Sequence, residues 1–204
     1  MDTINLAVIY YSATGTNYKV AQTAAESGQE AGGIVRLLKV PELAPESAIA
    51  SNPPWKAHVE ETKDIPTATA EDIEWADALI FCTPTRFGNV ASQMKQFLDT
   101  MGGLWAAGKT VNKVVSATTS AQNPHGGQEA TILSLYTTMY HWGAIVVAPG
   151  YTDPAVFGAG GNPYGTSVSA RTDGTISDSA IRAIQHQTQR VVMVTQWLKT
   201  GKMA

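Results

Sequence analysis

The sequence predicts an α/β domain built on a five-stranded parallel β-sheet, doubly wound with helices on both faces. Five apolar runs alternate with segments of helical periodicity, which is the pattern of strands joined by crossover helices. The runs are nearly continuous rather than alternating, as expected of parallel strands covered on both sides. With 204 residues, 44% apolar and 15% charged, the chain (1–204) suits one domain with a sizeable core.

The apolar runs define the predicted strands, and apolar spacing defines the helices. The strands are Ile4–Tyr11, Ile34–Val40, Ala78–Cys82, Val111–Thr118 and Gly143–Pro149. Helical spacing follows the first, third and fourth strands, and a further helix closes the chain. The residues at helical spacing are Val20, Ala21, Ala24 and Ala25; Val90, Met94, Phe97, Leu98 and Met101; Ile132, Leu135, Tyr136 and Met139; and Ile181, Ile184, Val191, Thr195 and Leu198.

Two long segments without predicted secondary structure interrupt this pattern. Residues 41–69 are rich in Pro, Ala and Glu, and residues 150–177 are rich in Gly, Pro, Tyr and Thr. Such stretches in a compact domain are usually functional lids or assembly surfaces. For the first insertion, a mobile surface segment without a function is an equal alternative. The second carries Tyr151, Phe157 and Tyr164, which favour a functional role.

Composition excludes several function classes. A net charge of −3 gives no basic field to attract nucleic acid or an anionic membrane. The single cysteine, Cys82, lies in an apolar run, which indicates a buried strand residue and excludes an internal disulfide. No charged-then-apolar leader precedes the first strand, and no apolar run approaches the ~18 residues of a membrane span. We therefore expect a cytoplasmic protein without membrane insertion, and we assign no metal site.

The turn after the first strand has the donors of a phosphate site. It offers three hydroxyl groups, one amide side chain and a row of backbone N–H groups that open a helix. Unpaired N–H groups and the helix dipole favour an anion such as a phosphate monoester. The turn contains no lysine or arginine, so neutral donors have to solvate the charge without a basic side chain. An ordinary Ser/Thr-rich helix cap is the alternative interpretation. The turn consists of Ser12, Ala13, Thr14, Gly15, Thr16 and Asn17.

Two other classes of nucleotide site are disfavoured. The turn lacks the lysine of a P-loop, which argues against nucleoside-triphosphate chemistry. It also lacks the G-x-G-x-x-G pattern of a Rossmann dinucleotide site.

Two further loops follow the third and fourth strands, and the carboxyl ends of parallel strands meet at one edge of a sheet. Pro84–Asn89 is a tight Pro/Gly-bounded turn that can present backbone donors and acceptors to a flavin ring. Within it, Arg86 is suited to stabilise negative charge on a reduced ring, with a surface salt bridge as the alternative, and Phe87 packs by the ring or fills core. The loop Ser120–Gly127 is small and polar and borders the ring's far side in this interpretation. Each loop alone is an ordinary loop, and only the three together indicate a flavin site.

Four motifs in order resemble one known family. They are Y-Y-S-x-x-G-T near the start, then P-T-R-F-G-N, then Q-M-K-Q-F-L-D-x-x-G-G-L-W, then G-G-Q-E. Together they resemble the WrbA family of NAD(P)H:quinone oxidoreductases, in register from about Asn5 to the final helix. The run Thr83–Asn89, together with Gly102–Trp105, is the most diagnostic part.

The resemblance implies a flavodoxin-like fold with strand order 2-1-3-4-5, and an FMN enzyme that carries two electrons from NADH or NADPH to quinones. It also implies a homotetramer. By the same resemblance, Trp105 is an aromatic lid over the ring, where nicotinamide and quinone bind in turn. Thr14 occupies the position that contacts the nicotinamide. His141 lies beside the ring as a possible proton donor. The cofactor-binding residues implied are Ser12, Ala13, Thr14, Gly15, Thr16, Asn17, Pro84, Thr85, Arg86, Phe87, Gly88, Asn89, Ser120, Ala121, Gln122, Asn123, Gly126 and His141.

The chain departs from the family pattern in two places. Gln122–His125 replaces part of a Gly/Thr-rich run, and Thr14 replaces what is often an aromatic residue. Two other functions remain open at this point, namely a flavodoxin-type electron carrier and a flavin-binding interaction protein without quinone turnover. The modest net charge argues against the carrier, because such proteins tend to be strongly acidic around the flavin.

Overall fold

The computed structural model describes residues 3–171 and 174–201, and within them the chain forms seven strands and nine helices. The strands are β1 (Asn5–Tyr10), β2 (Ile34–Lys39), β3 (Ala78–Arg86), β4 (Asn89–Val90), β5 (Val114–Ala121), β6 (Ile145–Val146) and β7 (Ser167–Ser169). The helices are α1 (Thr16–Glu30), α2 (Glu46–Ala50), α3 (Pro53–Glu61), α4 (Ala70–Trp75), α5 (Ser92–Asp99), α6 (Gly102–Ala106), α7 (Gln128–His141), α8 (Pro154–Gly158) and α9 (Asp178–Thr200).

The sheet follows the order β2-β1-β3-β5-β6, with each neighbouring pair parallel. The α/β class with a parallel sheet is therefore confirmed, and the five predicted runs lie side by side. The sheet differs from the five-strand prediction by two short strands. β4 pairs antiparallel with the end of β3, and β7 pairs with the end of β5.

The fifth strand position is divided between two segments. β6 pairs with Val114 and Val115 at the start of β5, whereas β7 pairs with Thr119–Ala121 at its end. The predicted strand Gly143–Pro149 is thus reduced to two residues, because the chain leaves the sheet and returns to it only at β7, within the second insertion. The fourth predicted strand is also shifted: β5 begins at Val114 rather than Val111 and continues to Ala121.

The sheet separates two apolar layers, as expected of a parallel sheet that helices cover on both faces. One layer packs β1, β3 and β5 against α4, α5 and α7, and the other packs the opposite face against α1 and α9. Most inward positions predicted from helical spacing are buried. Three differ: Val90 lies in β4 instead of a helix, Ile181 is only half-buried, and Leu198 is exposed near the end of α9.

Cys82 lies inside the sheet, as predicted. Its side chain is fully buried, and burial raises the pKa of the thiol to about 12, so it stays protonated and unreactive at neutral pH. No helix among the described residues combines the length and hydropathy needed to cross a bilayer.

The first insertion is not structureless, because it contains α2 and α3. One carboxylate fixes it to the domain: Glu42 accepts hydrogen bonds from the Tyr11 hydroxyl (3.1 Å), the Trp55 indole N–H (3.1 Å) and the Gln93 side-chain amide (2.8 Å). Burial by itself would raise the pKa of Glu42, but hydrogen bonds from backbone N–H groups and from Gln93 outweigh it and hold the pKa below its ordinary value. The ionised carboxylate therefore links β1, the insertion and α5 at neutral pH.

The second insertion, which contains α8 and β7, is fixed by a buried amide. Gln187 on α9 donates to the Ser116 hydroxyl (2.8 Å) and the Ala117 carbonyl (2.9 Å), and accepts from the backbone N–H and hydroxyl of Thr166 (both 2.8 Å). All of its hydrogen-bonding groups are satisfied, which a buried amide requires. The insertion therefore returns to the sheet edge at a defined register.

Candidate cofactor and active site

The first loop presents the uncapped N-terminus of a long helix. Gly15 precedes α1 with φ of +99°, a left-handed conformation that glycine adopts without strain, and no side chain caps the helix. The Gly15 N–H donates to the Ser12 hydroxyl (3.0 Å), so that the loop closes on itself. The N–H groups of the following turn point out of a 15-residue helix, which makes them donors for an anion.

Asn17 joins the first loop to the third. It is 2% exposed, and its amide N–H donates to the Ser120 hydroxyl (2.8 Å) at the end of β5. Its side-chain oxygen is buried and has no hydrogen-bond partner among the described residues. A buried polar atom without a partner is costly, so this oxygen indicates a place for a ligand or ordered water.

The second loop, predicted as a tight turn over Pro84–Asn89, is the turn of a β-hairpin formed by β3 and β4. Pairing of Arg86 with Asn89 leaves only Phe87 and Gly88 in the turn, both with positive φ (+52° and +79°). Two positive φ values are typical of a type I′ turn, but a phenylalanine in that region is uncommon and indicates a functional constraint. The Phe87 side chain is fully exposed (103%), so it does not fill the core.

Arg86, which precedes the hairpin turn, is also exposed. The Arg86 guanidinium donates to the Thr85 carbonyl (3.1 Å) and forms no ion pair with any residue that the structure describes. The surface salt bridge that the sequence left open is therefore not formed within the described chain, and the cation is available to a ligand.

The second and third loops pack directly on each other. The Thr85 hydroxyl donates to the Gly126 carbonyl (3.2 Å), and a Cβ added to Gly127 would lie 2.7 Å from the Cα of Gly88. Ser120 and Ala121 are buried residues of β5, so the loop itself begins at Gln122. The three predicted loops thus meet at the carboxyl edge of β1, β3 and β5.

Trp105 and His141 lie together but away from these loops. The Trp105 indole N–H donates to the His141 carbonyl (2.9 Å) at the C-terminal end of α7. Gly127, at the other end of α7, is the residue that packs on the hairpin. A helix of 14 residues spans about 20 Å. Within one chain, the structure therefore does not bring Trp105 and His141 to the loop cluster, and their role at the ring stays a prediction.

Two basic side chains lie near the first loop, although the loop contains none. A Cβ added to Gly174 would be 3.7 Å from the Lys19 ammonium and 3.9 Å from the Thr14 carbonyl oxygen, which places Lys19 close to the loop. His58 of α3 lies against Gly15 from the other side. Sequence reasoning missed both: Lys19 follows the motif by two residues, and His58 belongs to an insertion without any motif. The expectation that neutral donors of the loop solvate the phosphate stays a prediction, and these two side chains are basic groups beside that loop.

The loop cluster fits FMN. It combines an uncapped helix N-terminus for the phosphate with an exposed hairpin for a flat ring. The unpartnered oxygen of Asn17 and the positive φ of Phe87 are both features that a bound ligand would explain. Among the described residues, no group of three or more histidine, cysteine or carboxylate side chains is arranged to hold a metal ion.

Comparison with known proteins identifies the family of the chain. Residues 4–153 match the family model described as NADPH-dependent FMN reductase. The chain belongs to the NADPH-dependent FMN reductase family. Within this family, the curated protein named NAD(P)H dehydrogenase (quinone) from Deinococcus radiodurans is 52% identical over 94% of this chain and 96% of its own length. A protein of the same name from Aromatoleum aromaticum is 38% identical over 98% of this chain and 100% of its own.

Solved structures confirm the flavodoxin-like fold of this FMN reductase family member. A flavodoxin, WrbA-like protein from Agrobacterium tumefaciens superposes with a TM-score of 0.67 at 21% identity, covering 95% of this chain and 98% of that one. A flavodoxin from the domain Archaea gives a TM-score of 0.61 at 14% identity over 95% and 99% of the two chains. The resemblance to the WrbA family that the motifs carry is confirmed by the relatives together with the family model.

The electrostatics of the first loop give a direct prediction. Asn17→Asp replaces the buried amide by an isosteric carboxylate next to the helix N-terminus, and its charge repels the FMN phosphate. We expect FMN to bind about tenfold more weakly or worse, which corresponds to ~1.4 kcal/mol or more. Fluorescence titration of FMN with apoprotein measures this. Asn52→Asp, which keeps the exposed N-cap of α3, is the matched control and should bind as the wild type does. Unchanged FMN affinity in Asn17→Asp would contradict the assignment of the phosphate to this loop.

Proposed function

We propose that the chain is an FMN-dependent NAD(P)H:quinone oxidoreductase. The observation that carries this proposal is the meeting of three loops, one with an uncapped helix N-terminus and one with an exposed aromatic hairpin, at one edge of the sheet. The relatives named NAD(P)H dehydrogenase (quinone) support the same activity over nearly the whole chain. The FMN reductase family supports FMN as cofactor and a nicotinamide coenzyme as reductant.

Each part of the loop cluster has a distinct task in this proposal. The N–H groups of the first loop hold the FMN phosphate, and Asn17 fixes that loop to β5. The hairpin Thr85–Asn89 presents backbone groups to the ring edge, and Gly126 with Gly127 supports the hairpin from behind. FMN, when bound, supplies a ring able to accept hydride from nicotinamide and to pass two electrons to a quinone.

Aromatic side chains are suited to hold both flat substrates. Phe87 is exposed at the hairpin, and Trp105 is 56% exposed on α6. Offset stacking on such rings contributes about 0.5–1.5 kcal/mol beyond the buried area. Because nicotinamide and quinone would occupy the same face in turn, we expect ping-pong kinetics.

We place Trp105 and His141 in the active site of a second copy of the chain, as part of a homotetramer. Their distance from the loop cluster within one chain and their exposure support this placement. In that arrangement Trp105 covers the ring bound by its neighbour, and His141 offers a ring N–H to a quinone oxygen. Stacked, exposed Tyr151 and Phe157 in the second insertion provide further apolar surface for assembly. We also propose a cytoplasmic location, where reduced nicotinamide coenzymes are available.

Quinone-dependent turnover tests the proposed activity. FMN-loaded protein should oxidise NADH or NADPH rapidly when a soluble benzoquinone is present and only slowly without it. Absorbance at the nicotinamide band measures the rate, and apoprotein without FMN is the control. A flavoprotein that takes electrons from neither coenzyme, or that gives none to the quinone, would contradict the proposal and favour an electron carrier or an interaction protein.

A mixing experiment tests the shared active site. Trp105→Ala should lose quinone or nicotinamide use while keeping FMN, and Asn17→Asp should be inactive, while keeping Trp105, at an FMN concentration too low to load it. Unfolded together and refolded, the two inactive variants should recover about a quarter of wild-type activity or less, because mixed oligomers contain sites with both intact parts.

Two results would contradict the shared site. One is the absence of recovery in oligomers shown by mass to be mixed. The other is equal loss of FMN and quinone use in Trp105→Ala. Leu198→Ala, an exposed apolar truncation near the end of α9, is the control and should remain active.

A further inference from the structure

The first insertion packs a buried histidine against the phosphate loop. His58 lies in α3 and is 4% exposed. A Cβ added to Gly15 would lie 3.7 Å from the Nδ1 atom of His58, and no other described atom outside the adjacent residues lies within 4 Å of that point. The imidazole is therefore the group that approaches the N-cap of α1 from outside the loop.

The side chain of His58 has an unused hydrogen-bonding atom. Its Nδ1 has no hydrogen-bond partner among the described residues, although the Glu61 carboxylate is 3.5 Å away. A cavity of about 250 Å³ is lined by His58, by Tyr10 at the end of β1 and by Ser12 of the phosphate loop. A buried nitrogen that makes no hydrogen bond, beside a cavity that the loop also lines, indicates that His58 interacts with something bound there.

The groups around His58 favour the neutral imidazole in the apoprotein. Tyr18 of α1 lies with its ring centroid 5.5 Å from that of His58, and Tyr10 of β1 packs on Tyr18 with its ring centroid 5.4 Å away. Lys39 of β2 is the nearby cation, and its ammonium donates to the Thr62 carbonyl. Glu61 on α3 is the opposing charge, but it is 63% exposed and therefore screened. Burial lowers the pKa of His58, and Lys39 adds to that effect, while Glu61 opposes it.

We propose that His58 is a further residue of the cofactor site, a positioning residue that binds a proton when the phosphate of FMN occupies the first loop. This inference rests on the proposed use of FMN. The phosphate brings negative charge to the N–H groups beside Gly15, which is the residue that the imidazole approaches. An anion close to a histidine favours its charged form. The proton then provides the cation that the loop itself lacks.

Proton binding has a definite consequence for affinity. The pKa of His58 is higher in the FMN complex than in the apoprotein, so FMN binding takes up a proton. The extra affinity is fully present below the pKa of the apoprotein, and it is lost as the pH rises through the pKa of the complex. His58 therefore strengthens FMN binding in mildly acidic solution and contributes little at alkaline pH.

Comparison of His58→Gln with the wild type tests the inference. Apoproteins are titrated with FMN between pH 5.5 and 8.5, without coenzyme or quinone. We expect the wild type to bind about threefold to tenfold more tightly than His58→Gln at the acidic end, as a pKa change of up to about one unit allows, and within about twofold at the alkaline end. Titration of the FMN phosphate itself affects both proteins equally and cancels in the ratio. His186→Gln on α9 is the matched control and should follow the wild-type profile.

The same experiment separates this inference from the proposed function. A ratio that is constant across the pH range means that His58 only fills space, and it overturns the inference while FMN use stands. Failure of the wild type to bind FMN at any pH overturns both. Should His58→Gln fold poorly, nuclear magnetic resonance titration of His58 in the wild type gives the answer without a variant. The pKa of His58 should rise when FMN is added, and an unchanged pKa would overturn the inference.

Discussion

The site that we propose depends on one constraint, which is the solvation of an anionic phosphate by the end of a helix. A short loop joins the end of β1 to the start of α1, and no side chain caps the first turn of α1. That arrangement leaves several N–H groups without intrahelical partners, which is unfavourable unless water or an anion binds them. Because β1, β3 and β5 are parallel neighbours, the loops that follow β3 and β5 lie beside the same helix end. The rest of the site is arranged around this point.

Satisfied polar anchors hold the two insertions against the domain. Glu42 accepts hydrogen bonds from three different parts of the chain. Gln187, a buried residue of α9, is hydrogen-bonded both to β5 and to the second insertion. Both side chains are costly to bury alone and stable only with their full set of partners. The first insertion is consequently ordered, and its helix α3 carries His58 to the phosphate loop. An element without any recognisable motif thereby becomes part of the cofactor site.

The sequence predicted the features that arise from local patterns. Continuous apolar runs identified the parallel strands, and the polar turn after β1 identified the uncapped helix. Short strands were not predictable, because β6 and β7 share one sheet position only after a long excursion of the chain. Phe87 was ambiguous for a similar reason: its exposure depends on the β3–β4 hairpin, which a two-residue strand completes. The approach of His58 to Gly15 joins distant residues through tertiary packing alone, so no spacing rule reveals it.

Trp105 and His141 lie away from the loop cluster within one chain. The motifs place both residues at the flavin, whereas the fold of one chain places them at the far end of α7. A second copy reconciles the two placements, because an active site shared between chains needs no proximity within one. In the proposed homotetramer, the aromatic residues of the long loops and the exposed residues of α6 would belong to one assembly surface.

The contribution of the phosphate itself tests the central claim most directly. Riboflavin has the same ring as FMN and lacks the phosphate, so the ratio of the two dissociation constants for wild-type apoprotein isolates the first loop. If the helix end and its neighbours solvate the phosphate, FMN should bind at least about a hundredfold more tightly than riboflavin, equivalent to ~2.7 kcal/mol. Equal affinity for the two flavins would contradict the account.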